Sequence, residues 1–159
     1  MQRIALFPGS FDPFTIGHES IVRRALPLFD KIIIGVGFNS LKKTLISLEN
    51  REEMIREVFK DEKRVEVTNF QGLTVDFCKT VGAKYLLRGL RTAADFEYER
   101  AIGQMNKAMD PEIESVFLLT STQYTPVNST IVRDIIIFGG DATQFLPKGI
   151  DINKYLSKK

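Results

Sequence analysis

The sequence predicts an α/β protein, with a Rossmann-like, doubly wound, five-stranded parallel sheet and helices on both of its faces. Short apolar runs alternate along the chain with longer segments of helical periodicity, which is typical of such sheets. The run 31–37 is apolar at nearly every position, as expected of a parallel strand buried on both faces. Polar and glycine-containing clusters follow the ends of several runs, where sheets of this class bind their ligands.

The first strand and the first helix enclose an unusual loop. Residues 4–7 form the predicted strand and residues 19–26 the helix, and the stretch 7–18 reads FPGSFDPFTIGH. Its prolines and glycines make a rigid loop whose backbone can approach a ligand closely, and the free N–H groups of the following helix suit a phosphate. The stretch ends at His18, the chain's only histidine, for which a helix cap is the structural alternative.

The rest of the chain supplies four more strands and four more long helices. Gly82 follows one predicted helix in the usual C′ position, Pro111 prevents extension of the long helix, and Ser129 can cap the last one. We predict a single domain over residues 1–159. The remaining predicted elements are strand 31–37, helix 48–60, strand 64–68, helix 73–81, strand 84–87, helix 93–109, strand 115–119, helix 129–138 and a polar C-terminal helix.

Composition restricts the classes of partner. A net charge of +2 is too small to argue for nucleic acid or an anionic membrane surface, and no apolar run approaches the ~20 residues of a membrane span. The single cysteine, Cys78, excludes an internal disulfide. Met1 leads almost directly into a strand without a signal peptide, so we expect a cytoplasmic protein.

Two familiar phosphate motifs do not fit. The chain contains no GxxxxGK[ST], which excludes a P-loop protein. Residues 35–40 approach GxGxxG, but Ser40 replaces the last glycine and no amphipathic helix opens there. A dinucleotide-dependent dehydrogenase is therefore disfavoured.

Three more polar clusters follow predicted strands. Lys42 and Lys43 come after the second strand, and a solvated loop charge is their structural alternative. Arg88 and Arg91 follow the fourth strand and suit phosphates, with salt bridges to nearby carboxylates as an equally good reading. The hydroxyl-rich run 124–130 is explained either by ligand binding or by plain N-capping. Together these groups predict an anion site at one sheet edge.

These segments resemble a known family. The stretch 9–18, with Thr15-Ile16-Gly17-His18, is similar to the T/HxGH signature of the nucleotidyltransferase superfamily. With Lys42-Lys43, RGLR at 88–91, DFEYE at 95–99 and ESVFL at 114–118, nearly the whole chain resembles bacterial-type phosphopantetheine adenylyltransferase. The RGLR and DFEYE segments separate that family from relatives acting on nicotinamide mononucleotide or glycerol phosphate.

The resemblance implies a reaction in coenzyme A biosynthesis. The adenylyl group of ATP would be transferred to 4′-phosphopantetheine, giving dephospho-coenzyme A and pyrophosphate with Mg²⁺ as cofactor. It also implies a homohexamer that coenzyme A inhibits by feedback. We expect direct in-line displacement, since the acceptor is already a phosphate that needs no base.

The resemblance also implies which residues bind each substrate. His18 would stabilise the transition state, and Lys42 would act beside it on the acceptor phosphate. The substrate contacts would be Ser10, Lys42, Thr74 and Arg88. The ATP contacts would be Ser10, Phe11, His18, Gly89, Leu90, Arg91, Glu99, Tyr124, Thr125, Pro126, Val127, Asn128, Ser129 and Thr130.

Two positions depart from the family's pattern. Asn128 stands where a serine is usual but can still donate a hydrogen bond, and Ser10 replaces a frequent threonine with the hydroxyl kept. Two other hypotheses remain: a nucleotide-binding sensor without turnover, and an adenylyl- or cytidylyltransferase with a different acceptor.

Overall fold

A parallel sheet forms the centre of the protein, whose computed structural model describes residues 1–157. Its order is β3-β2-β1-β4-β5, and every pairing between neighbours is parallel. This confirms the predicted Rossmann-like, doubly wound sheet. The strands are β1 (Ile4–Gly9), β2 (Lys31–Gly37), β3 (Val65–Phe70), β4 (Tyr85–Leu90) and β5 (Glu114–Leu119).

Five α-helices cover the two faces of this sheet. On one face the helices α1, α2 and α5 bury Val22, Ile55 and Val132 against β1 and β2. On the other face α3 buries Val75 and Cys78, and α4 packs against β4 and β5. The helices are α1 (Ile16–Ala25), α2 (Leu48–Val58), α3 (Thr74–Val81), α4 (Ala93–Met109) and α5 (Ser129–Ile137).

The strand order reverses between β1 and β4, and the two strands separate there. β1 pairs with β2 along its full length, whereas it pairs with β4 only at Ala5 and Leu6. Beyond Leu6 the carboxyl ends of β1 and β4 diverge and leave a crevice. Parallel α/β sheets bind their ligands at such a topological switch point.

The longest helix, α4, presents an apolar stripe to solvent. Tyr98, Ile102, Met105 and Met109 lie on one face at helical spacing and are all exposed. The residue of α4 that is buried is Glu99. Among residues 1–157, no helix combines the length and apolarity needed to cross a bilayer.

Several predicted boundaries are corrected by the structure. The fourth strand extends to Leu90 because its polar end pairs with β5 up to Leu119, and the third extends to Phe70 by pairing with β2. Asn128, and not Ser129, caps α5, because its Oδ1 accepts the Ile131 N–H at 2.9 Å. A short 3₁₀ turn at Ile152–Lys154 replaces most of the predicted C-terminal helix, whose last two residues lie outside the described range.

Candidate active site

A cleft with three connected lobes opens at the carboxyl ends of β1 and β4. Ser10, His18 and Arg88 each line two of the lobes, so the lobes form one continuous site. The volumes of about 270, 500 and 640 Å³ leave room for two substrates side by side. We call them the apolar lobe (with Phe70, Thr74, Ile102 and Asn106), the histidine lobe (with His18, Arg91, Asn128 and Thr130) and the lysine lobe (with Lys42, Lys43, Arg51 and Arg133).

The orientation of His18 is set by the helix that begins beside it. Thr15 is the N-cap of α1, and its side chain accepts the His18 N–H at 3.4 Å. In return, the N–H of Thr15 donates to His18 Nδ1 at 2.9 Å. A glutamate or glutamine usually completes this capping box. Because Nδ1 accepts a backbone proton, neutral His18 carries its own proton on Nε2, which is then the donor.

The surroundings of His18 keep the imidazole neutral. Burial, followed by the positive charges of Arg91 and Arg88, lowers the pKa of His18 from 6.5 to about 3. The ring packs edge-on against Phe11, with 5.0 Å between centroids, and at a tilt against Phe14, with 5.3 Å between centroids. His18 is therefore a rigid, neutral hydrogen-bond donor at neutral pH.

Two arginines, Arg88 and Arg91, lie at the end of β4. Both are paired with carboxylates, which is the alternative to phosphate binding that the sequence analysis left open. Arg88 donates to both oxygens of Glu99 at 2.9 and 2.6 Å, and its third donor reaches the Pro8 carbonyl across the crevice at 2.8 Å. Arg91 pairs with Asp95 at 3.2 Å on the more exposed side. Glu99 thus fixes the Arg88 fork between the apolar and histidine lobes.

Basic side chains dominate the lysine lobe. Lys42 and Lys43 are exposed on the loop 38–47 after β2, and Arg133 comes from α5. Arg133 donates to the Asp12 carbonyl at 2.8 Å and lies 3.5 Å from its carboxylate. The lobe therefore has the charge to attract a polyanion.

The apolar lobe is lined on one side by aromatic rings. Phe70 stacks on Phe77 with 4.6 Å between ring centroids and lies beside Gly37 at the end of β2. Gly103 lets α4 approach β5 closely, since a Cβ there would lie 3.1 Å from the Ser115 hydroxyl. Such a lobe suits an uncharged chain more than a phosphate.

The start of α5 closes the cleft from the other side. Ser129 donates its hydroxyl to the Pro13 carbonyl at 2.9 Å, which ties α5 to the loop after β1. The Asn128 Oδ1 accepts the helix-cap bond, and its two amide N–H groups remain as donors for a ligand. Plain N-capping, the structural alternative, therefore explains part of this cluster.

Most of the predicted site residues meet in this cleft, although their contacts with ligands stay predictions. Leu90 is buried, and Tyr124, Thr125 and Pro126 do not line any of the three lobes. Sequence reasoning missed Arg51, Arg133 and Asn106, which do line it. The predicted residues in the lining are Ser10, Phe11, His18, Lys42, Thr74, Arg88, Gly89, Arg91, Glu99, Val127, Asn128, Ser129 and Thr130.

The fold and the cleft together define a nucleotidyltransferase. A family model described as cytidylyltransferase-like matches residues 6–135. A solved bifunctional NMN adenylyltransferase/ADP-ribose pyrophosphatase from Francisella tularensis shares the fold, with a TM-score of 0.71 at 18% identity. This similarity covers 96% of the chain, which spans less than half, 46%, of that protein.

Curated relatives give the particular family. A phosphopantetheine adenylyltransferase from Flavobacterium psychrophilum is 49% identical, covering 95% of this chain and 99% of the relative. Another, from Bacteroides thetaiotaomicron, is 48% identical, covering 96% of this chain and all of the relative. The chain belongs to the phosphopantetheine adenylyltransferase family.

Proposed function

We propose that this enzyme transfers the adenylyl group of ATP to 4′-phosphopantetheine, giving dephospho-coenzyme A and pyrophosphate in coenzyme A biosynthesis. Family membership supports the reaction, and one geometric observation carries the site. A neutral histidine donor, His18, lies in the same cleft as Lys42, Arg88 and Arg91 at the switch point of the sheet. Four donors around one crevice suit two phosphate-bearing substrates that must be brought together.

The lobes divide the two substrates between them. ATP would occupy the histidine lobe, with Arg91 and the start of α5 around its phosphates. The phosphopantetheine chain would lie in the apolar lobe near Thr74, and its phosphate would meet Arg88 and Lys42. Two polyanions repel each other, and holding them in reactive orientation contributes on the order of 7–11 kcal/mol to catalysis.

We propose direct in-line displacement with His18 as the donor that stabilises the transition state. A phosphate oxygen of the acceptor attacks the α-phosphorus of ATP, and pyrophosphate leaves. Negative charge grows on the non-bridging oxygens of the α-phosphate, where the Nε2–H of His18 would donate, while the ammonium of Lys42 would hold the attacking acceptor phosphate. Because Nδ1 of His18 accepts the Thr15 N–H and Nε2 carries the proton, neither nitrogen is ready to act as a nucleophile.

Magnesium would enter with the nucleotide. No group of three or more candidate metal ligands occurs in residues 1–157, and Asp12, Asp95 and Glu99 near the cleft are each bound to donors of the chain. Mg²⁺ commonly binds to substrate phosphates and keeps several waters. We therefore propose that ATP brings Mg²⁺, which neutralises phosphate charge, and that the chain's own residues provide the orientation and the hydrogen-bond donors.

We also propose a cytoplasmic homohexamer with feedback by coenzyme A. The exposed apolar stripe of α4, from Tyr98 to Met109, supports self-association, because burying such a surface is favourable. Coenzyme A shares the pantetheine and adenylyl parts of the product, so it would compete for the apolar and histidine lobes.

Pyrophosphate release distinguishes this proposal from its alternatives. The purified enzyme is incubated with Mg²⁺-ATP and one acceptor at a time: 4′-phosphopantetheine, nicotinamide mononucleotide or glycerol phosphate. We expect release only with 4′-phosphopantetheine, and dephospho-coenzyme A as the second product. Release with another acceptor alone would identify a different transferase, and ATP binding without release would favour a sensor.

Isotope exchange tests the single displacement. Radiolabelled pyrophosphate should not enter ATP when only enzyme, Mg²⁺ and ATP are present, and the enzyme must first be stripped of bound coenzyme A. Exchange should begin once dephospho-coenzyme A is added, since the complete reaction is reversible. Rapid exchange without it would instead require an adenylyl-enzyme intermediate.

A further inference from the structure

Arg51 connects two loops of the cleft from beneath. It lies on α2, and its 3% exposure makes it a buried charge. Its Nε donates to the Ile46 carbonyl at 3.1 Å, and its Nη1 donates to the Ser10 carbonyl at 2.7 Å. Ile46 belongs to the loop that bears Lys42, whereas Ser10 belongs to the loop after β1. One planar guanidinium therefore sets the spacing between the two loops.

Asp12 also connects these two loops, but here the side chain belongs to the loop after β1 and binds the backbone of the loop that bears Lys42. Its buried carboxylate accepts the N–H groups of Leu45 and Ile46, each at 2.9 Å. Both peptide groups of Ile46 are thus held, the N–H by Asp12 and the carbonyl by Arg51. Burial lowers the pKa of the Arg51 guanidinium, while the negative charge of Asp12 opposes this shift. Loops 10–13 and 38–47 therefore behave as one unit.

The bond from Arg51 determines where the peptide between Ser10 and Phe11 points. A trans peptide directs its carbonyl and its N–H to opposite sides. Since the Ser10 carbonyl faces Arg51, the Phe11 N–H points away from it, and this N–H has no acceptor among residues 1–157. Phe11 also has a φ of +51°, a strained conformation for a non-glycine residue that is typical of functional sites.

We propose that Arg51 is a positioning residue for adenylyl transfer. It holds the Ser10–Phe11 peptide so that the Phe11 N–H donates to a phosphate oxygen of the nucleotide, and it keeps Lys42 at a fixed distance from that donor. Phe11 lines both the histidine and the lysine lobes, where the phosphates would lie. This inference rests on the proposed function. A lysine at this position keeps the positive charge but lacks the planar fork that holds two separate donors at a fixed spacing.

Kinetics of Arg51→Lys test the inference against a matched control. Asn50→Ala removes a hydrogen bond of 2.8 Å from the neighbouring position of α2, but that bond goes to the Tyr155 carbonyl. We expect Arg51→Lys to lower kcat on the order of 10²-fold, the loss typical of a small misplacement of reacting groups. Asn50→Ala should lower the melting temperature and leave kcat unchanged. An unchanged kcat in Arg51→Lys would overturn the proposal.

Amide NMR supplies a readout that does not depend on turnover. The ¹⁵N-labelled wild-type protein is titrated with α,β-methylene-ATP, and the Phe11 amide proton should move downfield as it binds a phosphate oxygen. In Arg51→Lys this shift should be much smaller. Before ligand is added, the amide resonances of the variant outside loops 10–13 and 38–47 should match those of the wild-type protein and so report an intact fold.

The kinetic and NMR experiments also distinguish a failure of this inference from a failure of the proposed reaction. An unmoved Phe11 amide in the wild-type protein refutes the positioning role even if no Arg51 variant folds. Failure of the wild-type enzyme to make dephospho-coenzyme A would refute the proposed acceptor. Even then, the chemical-shift change of the Phe11 amide could be measured, because that titration uses the nucleotide analogue without any acceptor.

Discussion

At the scale of single residues, the chemistry of His18 follows from the hydrogen bond on its other nitrogen. The capping box with Thr15 uses Nδ1 as an acceptor, and burial, followed by the nearby arginines, disfavours a second proton. The residue can thus satisfy a helix end and donate to a phosphate at once. The sequence presented helix capping and catalysis as alternatives for His18, whereas the structure makes them compatible.

Substitution of His18 should separate these two roles. We expect His18→Ala to lower turnover roughly 10²–10³-fold, equivalent to ~2.7–4 kcal/mol, with little change in ATP affinity. It should also lose about 1 kcal/mol of stability with the cap, which His18→Gln keeps because glutamine can complete a capping box. Steady-state kinetics, calorimetry with ATP and urea unfolding measure the three quantities. Lost ATP affinity with turnover preserved would make His18 a ground-state contact instead.

The depressed pKa of His18 predicts a pH dependence of stability. Between pH 6.5 and about 3 the unfolded chain binds a proton that the folded protein does not, so the free energy of unfolding falls as the pH falls. Relative to His18→Gln, the wild-type protein should lose on the order of 2 kcal/mol between pH 7 and 5. Urea unfolding measures the loss, and the single histidine ring resonance should not titrate near pH 6.5. A titration there would show a solvated imidazole.

At the scale of elements, the ends of β1 and β2 differ in how tightly they are packed. A Cβ on Gly9 would lie 2.7 Å from the Phe11 ring, whereas one on Gly37 would find its nearest neighbour, Phe70, at 3.6 Å. The ring of Phe11 also supports His18. The end of β1 therefore requires glycine for a steric reason, and the end of β2 does not.

Alanine at these two glycines is a matched test of that difference. Gly9→Ala should lose about 1–3 kcal/mol of stability, because overpacking must displace Phe11. Gly37→Ala adds the same methyl group in ordinary contact and should leave the stability nearly unchanged. Urea unfolding compares them, and equal losses would mean that Phe11 moves aside without strain.

Substitutions in the loops at the strand ends should weaken the binding of the two substrates to different extents. Lys42→Ala is expected to weaken phosphopantetheine binding much more than ATP binding, because Lys42 lies in the lysine lobe. Arg91→Ala should do the reverse from the histidine lobe. Arg88→Ala should follow Lys42→Ala, but it also leaves Glu99 unpaired and should lose stability. Calorimetric titration of each ligand checks this, and equal losses for both ligands would remove the division.

At the scale of the whole molecule, the apolar stripe of α4 stays exposed to solvent in a single chain. Met105 and Tyr98 are 64% and 69% exposed, although both lie on a regular helical stripe. A stripe of this kind is normally buried against a neighbour. It lies on the helix whose buried Glu99 holds Arg88, so the proposed interface and the active site would share one element.

A charge on this stripe should disrupt the proposed hexamer. We expect Met105→Lys to shift sedimentation toward smaller species, because a buried unpaired ammonium strongly disfavours association. Gln104→Lys adds the same charge beside the stripe, on a different face of α4, and should leave the assembly intact. If both variants sediment as the wild-type protein does, the α4 stripe is not part of the interface.

The sequence by itself determined the class of fold and the position of the cleft. Apolar runs buried on both faces and loops rich in glycine and proline are local patterns, and the ends of parallel strands must share one edge. His18, Lys42 and Arg88 could therefore be placed together without coordinates. The resemblance to a known family then supplied their roles.

Only the tertiary structure decided how these groups are held. The link from Arg51 to Ser10 spans 41 positions and that from Asp12 to Ile46 spans 34, so no local pattern predicts either of them. The same holds for the separation of β1 from β4 after Leu6, which opens the crevice. The physical reason is that buried charges and backbone carbonyls find partners wherever the chain packs, and packing brings together residues far apart in sequence.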